Sequence, residues 1–154
     1  LCVIDIDHFK RINDTFGHLF GDEVLLRMGD LMRRTFRSGD RLFRFGGEEF
    51  VVLLNAVDAG HAALSFERFR RCVESHEFPQ VGQVTCSVGF TRVRALDVPT
   101  DVLGRADQAL YYAKEHGRNR VCDYEALVAS GAMAEPQVVD ATPVTDIDID
   151  ALFD

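Results

Sequence analysis

A chain of 154 residues, 47% of them apolar, holds enough material for one hydrophobic core and argues against two domains. No stretch approaches the roughly 20 apolar residues of a membrane span, and no signal peptide is visible, so a cytoplasmic domain is expected. The net charge of -8 sits in one place: residues 123–154 carry eight acids and no Lys or Arg, the remainder balances 17 acids against 17 bases, and a neutral body excludes a broad nucleic-acid surface.

In chain order, "LCVIDID" (1–7) is a short apolar run ending in carboxylates, which predicts a buried strand reaching a site. It opens inside the apolar run, so the native N-terminus is expected upstream. "NDTFGHLFGD" (13–22) places Asn13, His18 and Asp22 around flexible glycines, with Asn13 and Asp22 as candidate helix N-caps. "EVLLRMGDLMRRTF" (23–36) has apolar residues at helical spacing and Arg on the opposite face. "RLFRF" and "FVVLL" flank a GGEE turn and predict a hairpin. Residues 59–78 predict a second amphipathic helix, with Pro79 as its stop. "QVTCSVGFTRV" (83–93) is β-rich. Residues 99–117 predict a third helix, with Thr100 as N-cap and Gly117 as C-cap. "NRVCDY" is a candidate edge strand.

The resulting order, β-α-β-β-α-β-α-β, predicts an α/β sandwich with one sheet covered by helices. Beyond about residue 128, Pro, Ala and acids follow without a sustained period, which predicts a disordered tail. Cys2, Cys72, Cys86 and Cys122 are scattered with no CxxC spacing, as expected of reduced core thiols in a cytosolic protein.

The turn at 46–49 raises the chemical question. Two glycines permit positive φ and a close backbone approach by a ligand. Gly-Gly and Gly-Glu also occur in ordinary hairpin turns, and adjacent exposed carboxylates need no function. Asp5 and Asp7 add weight, because a spacing of two puts both on one face of a strand end. Acids there, facing acids on a neighbouring hairpin, make an oxygen-rich pocket suited to Mg²⁺. A nucleotide's phosphates would complete the coordination.

Phosphate also needs cations. Lys10 follows the Asp pair, and Lys114 and Arg118 stand four apart at a helix end, hence on one face. The same basic turn would suit the helix dipole with no ligand at all. Asn13 and Asp22 together could read a guanine edge, the amide meeting its carbonyl or ring nitrogen and the carboxylate accepting from its N–H groups.

"DIDHFKRINDTFGHLFGDEVL", "RFGGEEFVVLL" and "ADQALYYAKEHGRNRV", with "VTCSVGF" between the last two, closely resemble the GGDEF domain of diguanylate cyclases over nearly all of residues 1–122. The signature here is the GGEEF variant. The resemblance implies a single α/β (α+β) domain over 1–125, with a sheet like that of adenylate cyclases and polymerase palms, and an acidic disordered tail over 126–154. It implies condensation of two GTP into cyclic di-GMP with release of two pyrophosphates, in a homodimer that uses Mg²⁺ or Mn²⁺. Asp5, Glu48 and the Ile6 carbonyl would hold the metal, Glu48 would also take the 3′-hydroxyl proton, and Glu49 would support it. Lys10, Lys114 and Arg118 match phosphate-binding positions, with Lys10 as the candidate for transition-state stabilisation. Asn13 and Asp22 match the guanine readers, and His18 lies near the ribose or base. Asp7 matches a position more structural than metal-binding.

"RSGD" (37–40) fits the family's RxxD motif, which binds product and inhibits the enzyme; Arg37 and Asp40 would form that site, with Arg68 from the second helix. By chance alone RxxD is an exposed turn. The family's usual preceding helix and D-x-L-T-x-L-x-N-R-R-like motif are absent from this stretch. Two other readings remain open: a non-catalytic cyclic di-GMP receptor using only Arg37 and Asp40, and a mononucleotide cyclase on the same fold. The final "DIDALF" (148–153) is similar to a flagellar-switch peptide that binds a chemotaxis response regulator, so the tail is either solvated or a docking segment for a protein partner.

Overall fold

The computed structural model describes residues 1–134. The apolar run at the start forms β1 (Cys2–Ile6), buried at every position. Strand alternation sends Cys2, Ile4 and Ile6 to one face and Val3 and Asp5 to the other. Two helices follow, α1 (Phe9–Phe16) and α2 (His18–Thr35). Next come the hairpin strands β2 (Arg41–Gly46) and β3 (Glu49–Leu53), then α3 (Ala59–Ser75). The two-residue strands β4 (Glu77–Phe78) and β5 (Gly82–Gln83) pair with each other. The chain continues through β6 (Cys86–Phe90), α4 (Pro99–Glu115), β7 (Val121–Asp123) and α5 (Tyr124–Ala129).

The main sheet has the order β2-β3-β1-β6-β7. Only β6 and β7 run parallel. Cys2, Ile4 and Ile6 join Val24, Met28, Met32, Phe66, Phe69 and Val73 of α2 and α3 in the main core. Phe36 closes it, its ring 5.3 Å from Phe69 and 6.1 Å from Phe66. Each large apolar side chain buried there contributes about 1.5–3 kcal/mol.

The opposite face carries α4. Val3 and Val51 pack on Ala106 and Leu110. A Cβ at Gly89 of β6 would overlap the backbone of Ala106 and Leu110. Glycine there and alanines at 106, 109 and 113 let α4 lie directly on the strand. Among the described residues, no helix is long and apolar enough to cross a membrane.

Several local expectations change. The glycine-containing stretch 13–22 is helical: Asn13 lies inside α1 and Asp22 inside α2, so neither is an N-cap. Gly17 (φ 92) makes the break between the two helices. Helix α3 stops at Ser75, short of Pro79, because Glu77 and Phe78 turn into the small hairpin. Thr100 is not the cap of α4; Val98 precedes the helix and Pro99, with its fixed φ and missing N–H, opens it. His116 caps its end, and Gly117 (φ 107) follows in the conformation that stops the helix. Helix α5 crosses the boundary expected at 125, because Tyr124 is buried against Ala109, Ala113 and Cys122. The "DIDALF" segment lies outside the described residues.

Candidate active site

The site forms where β1 ends beside the β2–β3 hairpin. Asp5 stands opposite Glu49 in the ladder, and the Ile6 amide donates to the Glu48 carbonyl at 3.4 Å. The hairpin turn needs its glycines, with φ of 147° at Gly46 and 48° at Gly47. Arg44 holds this turn from behind, its Nε and Nη2 donating to the Gly47 carbonyl at 3.2 and 2.9 Å. Asp5 is only 6% exposed, while Glu48 and Glu49 are half-buried.

Burial pushes the Asp5 carboxyl above its ordinary range. A hydrogen bond and the charge of Lys114 work against this, and the nearby charges of Glu48 and Glu49 add to it. Lys114 Nζ lies 2.9 Å from Asp5 Oδ2. A buried carboxylate repelled by two others calls for a cation, and here an ammonium group fills that role. Among the described residues, no three His, Cys, Asp or Glu side chains gather closely enough to hold a metal alone. Carboxylate and carbonyl oxygens such as those of Asp5, Glu48 and Ile6 are the donor type a hard cation takes.

Asp7 does different work. Its carboxylate accepts from Thr85 Oγ1 (2.7 Å), Ser87 Oγ (2.6 Å) and the Asn119 amide (3.0 Å). Ser87 pairs with Asp5 in the ladder, so both acids lie on one face of the sheet, as their spacing predicts. Asp7 is spent on pinning the 85–87 segment and the turn after α4.

Immediately after Asp7, α1 begins without a side-chain cap, which leaves its first-turn amides and exposed Lys10 at the same end of β1. Asn13 lies against Gly21, where any Cβ would overlap its side-chain oxygen. Asn13 is thereby held next to Asp22. Asp22, with Leu25, Leu26, Gly29, Phe43 and Arg44, lines a cleft of about 650 Å³ between α2 and β2. The cleft mixes apolar walls (Leu25, Leu26, Phe43) with the charged groups of Asp22, Arg33 and Arg44, a lining that can take a polar ring with an apolar face. His18 is exposed at the start of α2. Arg118 is not on the face of α4 that its spacing from Lys114 predicts. The helix ends at Glu115, and Arg118 (φ 59) sits in the following turn, its amide donating to the Ala113 carbonyl at 2.9 Å.

Residues 1–120 match the family described as diguanylate cyclase, GGDEF domain. The chain belongs to this family.

Over 124 residues the GGDEF domain is 47% identical to diguanylate cyclase DgcP of Pseudomonas aeruginosa, covering 79% of this chain and 18% of that protein. Diguanylate cyclase A of Treponema denticola is 42% identical over 125 residues, covering 79% of this chain and 34% of that one. The chain thus spans well under half the length of these relatives. Among solved structures, the active GGEEF domain of a diguanylate cyclase from Vibrio cholerae superposes with a TM-score of 0.75 at 38% identity, covering 80% of each chain. The GGDEF domain of DgcB from Caulobacter crescentus, solved in complex with c-di-GMP, gives 0.76 at 36% identity, covering 80% of this chain and 76% of that one.

The RxxD corner of this GGDEF domain lies between α2 and β2. The Asp40 carboxylate accepts from the Arg37 amide at 2.9 Å and the Asn55 amide at 3.3 Å. Arg68 of α3 reaches the same corner, its Nη2 donating to the Thr35 carbonyl at 2.7 Å. The Arg37 side chain is exposed beside them. Arg44, Thr85, Ser87 and Asn119 are the site residues that sequence reasoning misses. The alternation of Thr85 and Ser87 on a strand was available as a signal; nothing in the local sequence pairs Asn119 with Asp7.

Proposed function

We propose that this domain condenses two GTP molecules into cyclic di-GMP. The observation that carries the reading is the meeting of Asp5 with the Glu48–Glu49 hairpin, next to Lys114. Asp5, Glu48 and the Ile6 carbonyl would hold Mg²⁺ or Mn²⁺. Such an ion supplies charge stabilisation at the phosphates and lowers the pKa of a nearby hydroxyl.

Each nucleotide's 3′-oxygen attacks the α-phosphorus of the other. The bond from that phosphorus to the pyrophosphate oxygen breaks, and two pyrophosphates leave. Glu48 accepts the 3′-hydroxyl proton, supported by Glu49. Lys10, Lys114 and Arg118 neutralise the triphosphate, and Lys10 stabilises the charge that develops on transfer. Asn13 and Asp22 read guanine, and His18 lines the ribose side. One domain holds one GTP, so the reaction needs a homodimer with its sites face to face. Arg37, Asp40 and Arg68 bind the product and slow the enzyme. The domain covers 1–125 with α5 extending it to Ala129, and the acidic segment that follows is available to a protein partner.

The test incubates the dimerised chain with GTP and Mg²⁺, identifies product by mass and titrates product back. Cyclic di-GMP should form and should inhibit its own synthesis. Glu48→Gln should reduce turnover by at least about 100-fold. Tight product binding with no turnover would assign the domain as a receptor instead.

A further inference from the structure

The turn that carries Arg118 is held in an unfavourable conformation. Gly117, Arg118 and Asn119 all have positive φ, at 107°, 59° and 45°. Glycine adopts that conformation freely and asparagine more readily than most, but an arginine there is disfavoured. The conformation persists only where surrounding contacts over-determine it.

The contacts come from α3, across the sheet edge. Arg70 Nη1 donates to Asn119 Oδ1 at 2.7 Å, and Asn119 Nδ2 donates to Glu74 Oε1 at 2.7 Å. Arg70 is itself fixed by two bonds to Glu67 (2.9 and 2.8 Å) and one to Glu74 (2.8 Å), and its side chain is only 10% exposed. The Asn119 amide then donates to Asp7. Each of these groups of Asn119 meets its complement: its side-chain oxygen faces a guanidinium, its amino group a carboxylate, its backbone N–H another carboxylate. An aspartate of the same shape would set two negative charges together at Glu74.

We propose that Arg70, Glu74 and Asn119 are positioning residues that lock the left-handed turn and thereby aim Arg118 at the triphosphate. The proposal rests on the cyclase reading above for the identity of the ligand. None of the three touches the nucleotide; they act through Arg118.

Two measurements on the full chain test it. The first needs no nucleotide: hydrogen exchange at the Arg118 and Asn119 amides. Asn119→Ala and the milder Arg70→Lys should both accelerate it, with α4 and the sheet unaffected. The second is GTP binding in the presence of Mg²⁺. Asn119→Ala should weaken it about tenfold or more, the scale of one charged hydrogen bond. Arg118→Ala should do the same, and the double variant should lose no more than either single one, because both remove one interaction. Asn119→Asp should fail like Asn119→Ala, and adding Glu74→Gln should restore binding by returning a donor opposite the new carboxylate.

Unchanged amide exchange overturns the proposal whatever GTP does. Faster exchange with unchanged GTP affinity overturns it too, as do additive losses in the double variant. An unsubstituted chain that binds no GTP overturns the cyclase reading itself, and that result is visible before any variant is made.

Discussion

Asp5 works against folding at neutral pH. Its carboxylate is withdrawn from water and repelled by Glu48 and Glu49, with Lys114 as partial compensation. Desolvation outweighs the pairing, so the ionised form is the disfavoured one. Asp5→Asn should therefore raise the melting temperature by a few degrees while abolishing GTP turnover. Calorimetry alongside a turnover assay checks both halves; a lower melting temperature would show that the lysine pairing dominates instead. That Asp5 ends a buried strand and meets the GGEE hairpin was legible in sequence, whereas the roles proposed for Asp5, Glu48, Asn13 and Asp22 come from the family resemblance. Asn119 was not legible, and for Ser87 the sequence offered only its alternation with Thr85 and not its partner. Their shared partner Asp7 is 112 and 80 residues away in the chain, and only the fold brings them together.

Among the elements, α4 controls the site most directly, since it delivers Lys114 and launches the turn bearing Arg118. Its seat depends on Gly89, where a methyl group would collide with helix backbone and not with a side chain able to move aside. Gly89→Ala should cost about 1–3 kcal/mol by overpacking. It should also weaken GTP binding by moving Lys114 away from the proposed triphosphate position, measurable by calorimetric binding, while denaturant titration reads the stability cost.

The start of α4 is tied down separately. Arg105 Nη1 and Nη2 bind Asp97 at 3.0 and 2.6 Å, and the Arg94 amide adds a third bond. The Arg105 hydrogen bond leads these in holding the Asp97 carboxyl down at about 2, against an ordinary 3.8. A depressed carboxylate contributes stability that is present above its unfolded pKa and lost as pH falls through the folded one. The window is therefore roughly pH 4 to 2, and Asp97→Asn should flatten the stability curve across it. Strongly periodic elements such as β1, β3, α3 and α4 were readable from sequence. Helix α1 was not, because eight largely polar residues bounded by Gly17 look like a loop until Gly21 lets them pack on α2. Helix α5 owes its existence to the burial of Tyr124, a tertiary effect with no local signature.

For the whole molecule, the proposed reaction has a built-in requirement: if each site holds one GTP, a single domain cannot close a ring of two. At protein concentrations where the chain is monomeric, initial rate should rise with the square of enzyme concentration and become linear once dimers saturate. A rate linear throughout the dilute range would refute the two-domain reaction. One sheet covered by helices was legible in the β-α-β-β-α-β-α-β reading; the strand order β2-β3-β1-β6-β7, the split of α1 from α2 and the small β4–β5 hairpin were not. What sequence could not supply was the joint between layers, since α3 reaches the turn bearing Arg118 through Arg70 and Glu74, a connection made across 45 to 49 residues.

The bond between Lys114 and Asp5 has a final consequence. In this structure the carboxylate already has a partner, an ammonium tethered by α4. If the site takes Mg²⁺ as proposed, an ion arriving alone would have to compete with that built-in rival. A triphosphate would ease the contest by offering Lys114 another anion, so ion and nucleotide would be expected to enter as a pair.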